Sequence, residues 1–484
     1  MLERMNFMER ERNIIAFDCG NSSFRIVLGR FNGKSIEREV IDQYSNNIIQ
    51  AGEFFYWDIL RIFDCFKNSL RKAAAQVDRI DSIGICTWGV DFALYDKSAI
   101  MLSNPLAYRN TIGAEQIAGL DDETREELFF ETGILSDKIN SIYMLKGMQD
   151  AMPNLYSITD KLLMVPDIIN YMLTGIMRNE PSELSTTQMM DVRTRSISTT
   201  ACKNMGVDPN LFCSISSHGE KIGMLRKEIC QELGVQYDIP VISVPSHDTA
   251  SAVLAIPAQE DDFAFISSGT WSLIGTELDE PLVTKEVMEA SLTNELGALN
   301  TITLLKNSAG MFIHQRLRKD YELIVGRSAD WDELNSLMEA YKGDVPLIDV
   351  NSDCFFNPLD MSKAIWDYLL NQGKVSGAPD WGIILASLYH SMAECYKETI
   401  EEIQRVCKKE FNNIYIVGGG SKNFILNQIT ADRSGKNVVA CDTESTALGC
   451  IISQLKYFDH SMSIKDMRAV ADASIQKKVY APKQ

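Results

Sequence analysis

The chain has 484 residues, 45% of them hydrophobic and 23% charged, and carries a formal net charge of −19. That length holds two or three domains with sizeable cores. The acid excess excludes the basic face that a nucleic-acid partner requires, but not a small anionic ligand held by a few local donors.

Asn13–Gly29 (NIIAFDCGNSSFRIVLG) is an apolar run, a tight polar turn and a second apolar run. This is the pattern of a β-hairpin whose turn exposes backbone N–H groups and hydroxyls. From Trp57 to Val77 apolar residues fall at 59, 62, 63, 66, 70, 74 and 77, the period of an amphipathic helix. Ile80–Tyr95 reads as strand, turn and strand around TWGVDF. Residues 115–235 are mostly helical in pattern, with LLMVPDIINYMLTG (162–175) apolar enough to be buried. Pro240–Ala255 reads as a strand, a polar turn and a helix, and its end near Leu254 is the expected domain boundary.

The second half repeats the theme. Asp262–Gly275 (DFAFISSGTWSLIG) is another hairpin pattern, and a strong amphipathic helix is predicted over 383–407. Leu385, Leu388, Met392, Tyr396, Ile400, Ile403 and Val406 share its apolar face. The strand Ile414–Val417 runs into Gly418-Gly419-Gly420-Ser421, which opens a helix at 423–433. Alternating strands and helices in both halves predict a two-domain α/β protein. The divisions are 12–254, 255–460 and a closing tail, 461–484.

The 11 cysteines are scattered and contain no C-x-x-C pair, which reads as reduced thiols rather than a disulfide frame or zinc site. His218, His247, His314, His390 and His460 show no ligand spacing, so no His/Cys metal centre is expected. The charged N-terminus (MLERMNFMERERN) lacks a signal-peptide core, and no apolar run reaches membrane-spanning length. A cytoplasmic protein without membrane or nucleic-acid partners is expected, with its oligomeric state open.

Several turns have the composition for phosphate chemistry. Gly20 lets backbone approach an anion closely, and Asn21, Ser22 and Ser23 offer successive N–H groups and hydroxyls, with Arg25 just beyond. Asp18 ends the preceding strand and could hold Mg²⁺ partly through water. A plain hairpin turn has the same composition. Ser267-Ser268-Gly269-Thr270 supplies a matching turn, and Gly418–Ser421 a glycine corner on which a nucleoside could lie. In Pro245-Ser246-His247-Asp248-Thr249, Asp248 is an acid–base candidate at the domain boundary, and equally a cap for a helix beginning at Thr249. Thr87-Trp88-Gly89-Val90-Asp91 suits sugar recognition, although an isolated Trp in a hairpin also suits a core. Gly29–Ser35 approaches a P-loop but is one residue too short, and Gly418–Ser421 lacks dinucleotide spacing.

Taken in order, these elements resemble the FGGY carbohydrate kinase family, and within it the rhamnulokinase branch. FDCGNSSFRIVLGRF (17–31), CTWGVDFALYD (86–96), LLMVPDIINYMLTG (162–175), STTQMMD (185–191) and PSHDTASAVLA (245–255) carry the likeness in the first half. ISSGTWSLIGTEL (266–278), LKNSAGMF (305–312), IVGGGSKNFILNQITAD (416–432) and STALGC (445–450) carry it in the second. The resemblance implies two ribonuclease-H-like domains of the actin/hexokinase/Hsp70 type flanking a catalytic cleft, and phosphorylation of a ketose by ATP with Mg²⁺. By that likeness Asp248 is the general base, and Gly89, His247, Asp248 and Thr249 touch the sugar. Asn21, Ser22, Ser23, Phe24, Arg25, Thr270, Asn307, Gln315 and Gly419 fall on nucleotide positions, and Asp18 orients Mg²⁺. L-rhamnulose, giving L-rhamnulose 1-phosphate, is the implied substrate. Fuculose or xylulose, or a non-catalytic sensor of the same fold, are the alternatives.

Three positions depart from the branch pattern. Cys86 stands where an Asp is usual, Tyr108-Arg109-Asn110-Thr111-Ile112-Gly113 loses an acid and an arginine, and Phe24 replaces a small residue. Lost polar groups on the sugar side are expected to weaken hydroxyl recognition and to leave the particular sugar open.

Overall fold

The computed structural model describes residues 10–356 and 358–483. Most of the N-terminal stretch read above for a signal segment lies outside them. The chain divides into two compact units. The first runs through Gln259 and regains Glu277–Leu304 and Glu444–Ile475; the second comprises Glu260–Thr276, Leu305–Thr443 and the C-terminal segment from Gln476. The boundary expected near Leu254 is therefore crossed again by the chain, since two later segments return to the first unit.

The first unit is built on β1 (Arg12–Cys19), β2 (Ser23–Phe31), β3 (Ile36–Ser45), β4 (Ser82–Thr87), β5 (Lys221–Met224) and β6 (Pro240–Ile242), in the order β5-β6-β4-β1-β2-β3. The predicted hairpin is present: β1 and β2 are antiparallel, with Asp18 opposite Arg25 and Ile14 opposite Gly29. β4 lies parallel to β1, which sets Cys86 beside Asp18, and β6 lies parallel to β4. Both faces of β1 are covered. Ile15, Phe17 and Cys19 enter one core with Phe24, Phe66 and Ile168, while Ile14 and Ala16 enter another with Leu448 and Ile451. Period-2 side-chain alternation between two dry faces is why this strand reads as an unbroken apolar run.

Ile59–Ala74 forms the predicted amphipathic helix, burying Ile59, Ile62, Phe66, Leu70 and Ala73. It begins later than expected because Trp57 ends the strand Phe54–Trp57 and the Asp58 side chain caps the helix by accepting from Arg61 N–H. Ile80–Tyr95 is not one hairpin. β4 belongs to the main sheet, whereas Phe92–Tyr95 turns away and pairs with Lys161–Met164. The polar turn between them holds Val90 at φ 70°, a left-handed conformation that redirects the chain. Of the 162–175 run, the first residues extend that short strand and Val165–Thr174 is a buried helix.

The second unit repeats the plan with β7 (Ala264–Ser268), β8 (Trp271–Leu278), β9 (Ile302–Ala309), β10 (Asn413–Val417), β11 (Asn437–Ala440) and β12 (Lys478–Tyr480), in the order β9-β8-β7-β10-β11-β12. β7 pairs antiparallel with β8 and parallel with β10, as β1 does with β2 and β4. The helix Trp381–Cys407 buries Leu385, Leu388, Met392, Tyr396, Ile400 and Ile403 of the expected face. The expected tail is not loose. Ile464–Ser474 is a helix of the first unit, started by a reciprocal Ser463–Asp466 capping box, and β12 extends the second sheet.

Candidate active site

The turn after β1 is held open from behind. Gly20 N–H donates to the Ser23 carbonyl, and Asn46, 5% exposed, donates through its backbone to the Ser22 carbonyl and through its side chain to that of Gly20, both at 2.9 Å. These bonds consume the carbonyls and leave N–H groups as the outward face of the turn. Ser22 is exposed, and the buried Asn21 Oδ1 has no hydrogen-bond partner. Sequence reading missed Asn46, whose role comes entirely from the long-range packing of β3. Phe24 departs from expectation: its ring is fully buried, 5.8 Å from Phe17 and stacked 5.2 Å from Tyr44, so only its backbone faces the turn. Arg25 Nε donates to Asp18 Oδ2 at 2.8 Å, and Nη1 lies 3.5 Å from Glu444. Burial pushes the Asp18 carboxyl up, opposed by the Arg25 charge, with Asp248 adding a further push upward.

Asp248 is the first residue of the helix Asp248–Leu254. His247 occupies the cap position and makes no side-chain cap bond. The Asp248 carboxylate accepts from Thr249 Oγ1 at 3.2 Å, lies 3.5 Å from His247 Nε2, and keeps 34% of its side chain exposed. His247 Nδ1 is 3.2 Å from Glu295 Oε2. Burial alone would lower the imidazole, but Glu295, then Asp248 and Glu180, raise it to about 9. Burial likewise raises Asp248, and the charge on His247 pulls it back. The imidazole thus sits between two carboxylates, and its charge favours the ionised form of Asp248.

Gly89 lies against this pair: a Cβ there would come within 2.9 Å of Thr186 Cγ2 and 3.3 Å of His247 Cδ2. The turn is fixed from several sides. Val90 N–H donates to Thr186 Oγ1, Ser141 Oγ donates to the Val90 carbonyl, and the Trp57 and Trp88 indoles donate to one oxygen of Asp91 at 2.6 and 2.8 Å. A β-branched residue at positive φ is strained and persists only when its surroundings over-determine it. Trp88 is 3% exposed, so it acts through Asp91 and not as a sugar-stacking face.

A second layer lies beneath. Glu180 accepts from Ser182 N–H, Glu183 N–H and Ser182 Oγ, and Ser182 Oγ in turn accepts from His247 N–H. Leu299 N–H donates to His218 Nδ1, so the ring's proton sits on Nε2, 2.5 Å from Glu180 Oε1. Thr87 Oγ1 donates to Glu183, which is fully buried and raised well above the usual carboxylate range by burial, then by Glu180 and Asp167. Glu180, Glu183 and Glu295 carry no motif and were not visible in the sequence. Cys86 and Asn110, expected to impoverish the sugar side, both point into the protein. Cys86 is buried with its thiol 3.6 Å from the Phe17 carbonyl, and both ends of the Asn110 amide are spent on Phe55 backbone.

The second unit places its own candidates together. Gly418 has φ 79°, and a Cβ there would lie 2.9 Å from the Ser268 carbonyl oxygen; one on Gly420 would lie 2.0 Å from Ser268 Oγ. The glycine corner therefore packs directly on the Ser268–Thr270 turn. Gly310 packs on its other side, where a Cβ would fall 2.4 Å from Trp271 backbone. Thr270, Asn307, Gln315 and Gly419 are exposed, and a Cβ on Gly419 meets nothing within 4 Å. Asn351 accepts from Ala309 N–H and Ser308 Oγ, bracing the end of β9.

Duplicated sheets of this topology, with a carboxylate-bearing turn in the first unit and a glycine-lined turn in the second, define a sugar-kinase class of the actin/hexokinase type. Residues 13–255 match the N-terminal domain and 264–456 the C-terminal domain of the FGGY family of carbohydrate kinases. The chain belongs to this family and is an ATP-dependent carbohydrate kinase. It is 36% identical over 475 residues to a rhamnulokinase of Bacteroides thetaiotaomicron, covering 98% of this chain and 96% of that protein. A Bacillus subtilis rhamnulokinase is 34% identical, covering 97% and 95%. Among solved structures, a gluconate kinase from Lactobacillus acidophilus superposes with a TM-score of 0.80 at 15% identity over 98% of this chain and 94% of that one. A Plasmodium falciparum glycerol kinase with ADP gives 0.76 at 14%, with the same coverage. These structures share the fold. Among the described residues no helix is long and apolar enough to cross a membrane.

Proposed function

We propose that this kinase transfers the γ-phosphoryl group of ATP to a hydroxyl of L-rhamnulose, giving ADP and L-rhamnulose 1-phosphate. The observation that carries this reading is Asp248, a carboxylate one-third exposed in otherwise buried surroundings and braced by His247 and Thr249. Asp248 takes the hydroxyl proton as the sugar oxygen bonds to the γ-phosphorus. The bond from that phosphorus to the bridging oxygen breaks, and ADP leaves with its electron pair. Gly89, His247 and Thr249 bind the sugar. The rhamnulokinase relatives that align over nearly the whole chain support the choice of ketose.

For the nucleotide, Asn21, Ser22, Ser23, the Phe24 backbone and Arg25 act from the first unit. Thr270, Asn307, Gln315 and Gly419 act from the second. Mg²⁺ fits the donor set at Asp18, since Arg25 occupies only Oδ2. Among the described residues no group of three His, Cys, Asp or Glu could hold a metal. One carboxylate with phosphate and water oxygens is what Mg²⁺ accepts, and when bound it neutralises phosphate charge. All 11 cysteines are free thiols, in keeping with work in the cytoplasm.

The test is ADP release across a panel of ketoses and polyols, with and without Mg²⁺. Magnesium-dependent release on L-rhamnulose is expected. Release only on fuculose or xylulose would refute the sugar assignment. Tight ATP binding with no sugar-stimulated release would refute turnover and leave a sensor.

A further inference from the structure

Glu295 ends an otherwise unremarked strand, Thr293–Leu296, yet its Oε2 reaches His247 Nδ1 at 3.2 Å while His247 Nε2 faces Asp248 Oδ1 at 3.5 Å. The imidazole is strung between two carboxylates. Side-chain exposure is 13% for Glu295, 10% for His247 and 34% for Asp248. Glu295 Oε2 and His247 Nδ1 are buried and neither has a hydrogen-bond partner, so their 3.2 Å approach is a contact between charges. A neutral imidazole donates at one nitrogen only, so either tautomer would turn a lone pair toward one of these carboxylates. Only the doubly protonated ring presents a donor to both.

We propose that Glu295 is a positioning residue of this centre: its carboxylate holds His247 as an imidazolium, and that cation keeps Asp248 ionised and ready to accept a proton. The catalytic meaning of the inference rests on the kinase reading above; the charge chain itself does not. Further carboxylates act on this pair, with His218 behind Glu180 and Arg25 on Asp18. Glu180 and Glu183 approach from the helix Pro181–Ser185 and its cap, and Asp18 acts on Asp248 from β1. Burial drives Asp248 toward its neutral form, as do Glu295, Glu183 and Asp18, and His247 leads the opposition with the Thr249 hydrogen bonds behind it. Removing the Glu295 charge relieves its own direct push on Asp248 and discharges the imidazole between them, and the second effect appears only where the variant's ring has lost its proton.

The experiment uses the full chain without ligands, in wild-type, E295Q and E295D forms, with NMR titration of the His247 ring. Kinase kinetics are run in parallel from about pH 6 to about pH 9.5. The His247 ring in wild type is expected to titrate at about 9. In E295Q it should fall by about 2 pH units, with E295D between the two. The loss of kcat/KM in E295Q should be greatest near about pH 8, where its ring is neutral and the wild-type ring still charged, and roughly tenfold smaller at about pH 6.5, where both rings carry a proton. KM for ATP should stay level, a split that a general loss of packing would not produce. A His247 titration in E295Q within about half a unit of wild type overturns the proposal, as does a kcat/KM loss no greater at about pH 8 than at about pH 6.5. Should E295Q fail to fold, a wild-type titration in E295D overturns it equally. If the wild type turns over no sugar, the kinase reading of this site fails, and the ring titration still decides the Glu295–His247 coupling.

Discussion

Gly449→Ala should injure both stability and turnover through one contact. Gly449 lies on the helix Ser445–Phe458 where it crosses Asp248–Leu254, and a Cβ there would sit 1.8 Å from the Ser251 carbonyl oxygen and 2.6 Å from its carbon. Both obstructing atoms are backbone, so no rotamer change relieves the clash. Ordinary carbon–oxygen contact needs about 3.3 Å, which forces the two helices apart by about 1.5 Å. Overpacking of this kind costs about 1–3 kcal/mol, or about 2–12 °C of melting temperature for a unit of this size. The displaced helix carries Asp248 at its first position, and a catalytic group misplaced by about 1 Å loses about a hundredfold in rate. Thermal melts and a coupled ADP assay measure the two effects. Gly419→Ala is the control: a Cβ there meets nothing within 4 Å, so its melting temperature should match wild type while ATP binding weakens. A Gly449→Ala protein that melts within about 1 °C of wild type and keeps most of its rate would refute the reasoning.

Asp248→Asn should reduce kcat by about 10²–10⁴ with ATP binding retained, measured by calorimetry beside the ADP assay. Phe24→Ala should cost about 3–5 kcal/mol in denaturant unfolding, because the ring fills a core and does not meet nucleotide. Burial raises the Asp91 carboxyl to about 7, against the pull of the Trp88 and Trp57 indoles. The folded state therefore binds the proton that the unfolded state has released. This contribution to stability is full below about pH 4 and is lost as pH rises through about 7. Asp91→Asn keeps an acceptor for both indoles without the titration, so its melting temperature relative to wild type should improve between about pH 5.5 and about pH 8.5; an unchanged difference would show that Asp91 does not titrate there.

Local pattern carried much of this. The apolar runs around Gly20 and Gly269 specify hairpins because turn chemistry and strand burial act over a few residues. The helix over 381–407 follows from its 3.6-residue period. The motif PSHDTAS marks a candidate turn of the first unit and SSGTWSL and GGGSKN candidate turns of the second, and the family with them. Short-range signals also misled. TWGVDF was read as a hairpin turn because nothing local reveals that β4 pairs with β1 while Phe92–Tyr95 pairs with Lys161–Met164. The partners of Cys86 and Asn110 are backbone groups that no local pattern names.

Tertiary structure alone decided what surrounds Asp248. A carboxylate's readiness to accept a proton depends on the charges within a few ångströms, and these come from Glu295, Glu180 and Asp18 on separate elements. The sequence offers the turns because their backbone conformations demand particular residues, and Asp248 as the proposed base through the family likeness. It could not name the counter-charges, because any acidic residue delivered to that point by the fold exerts the same field.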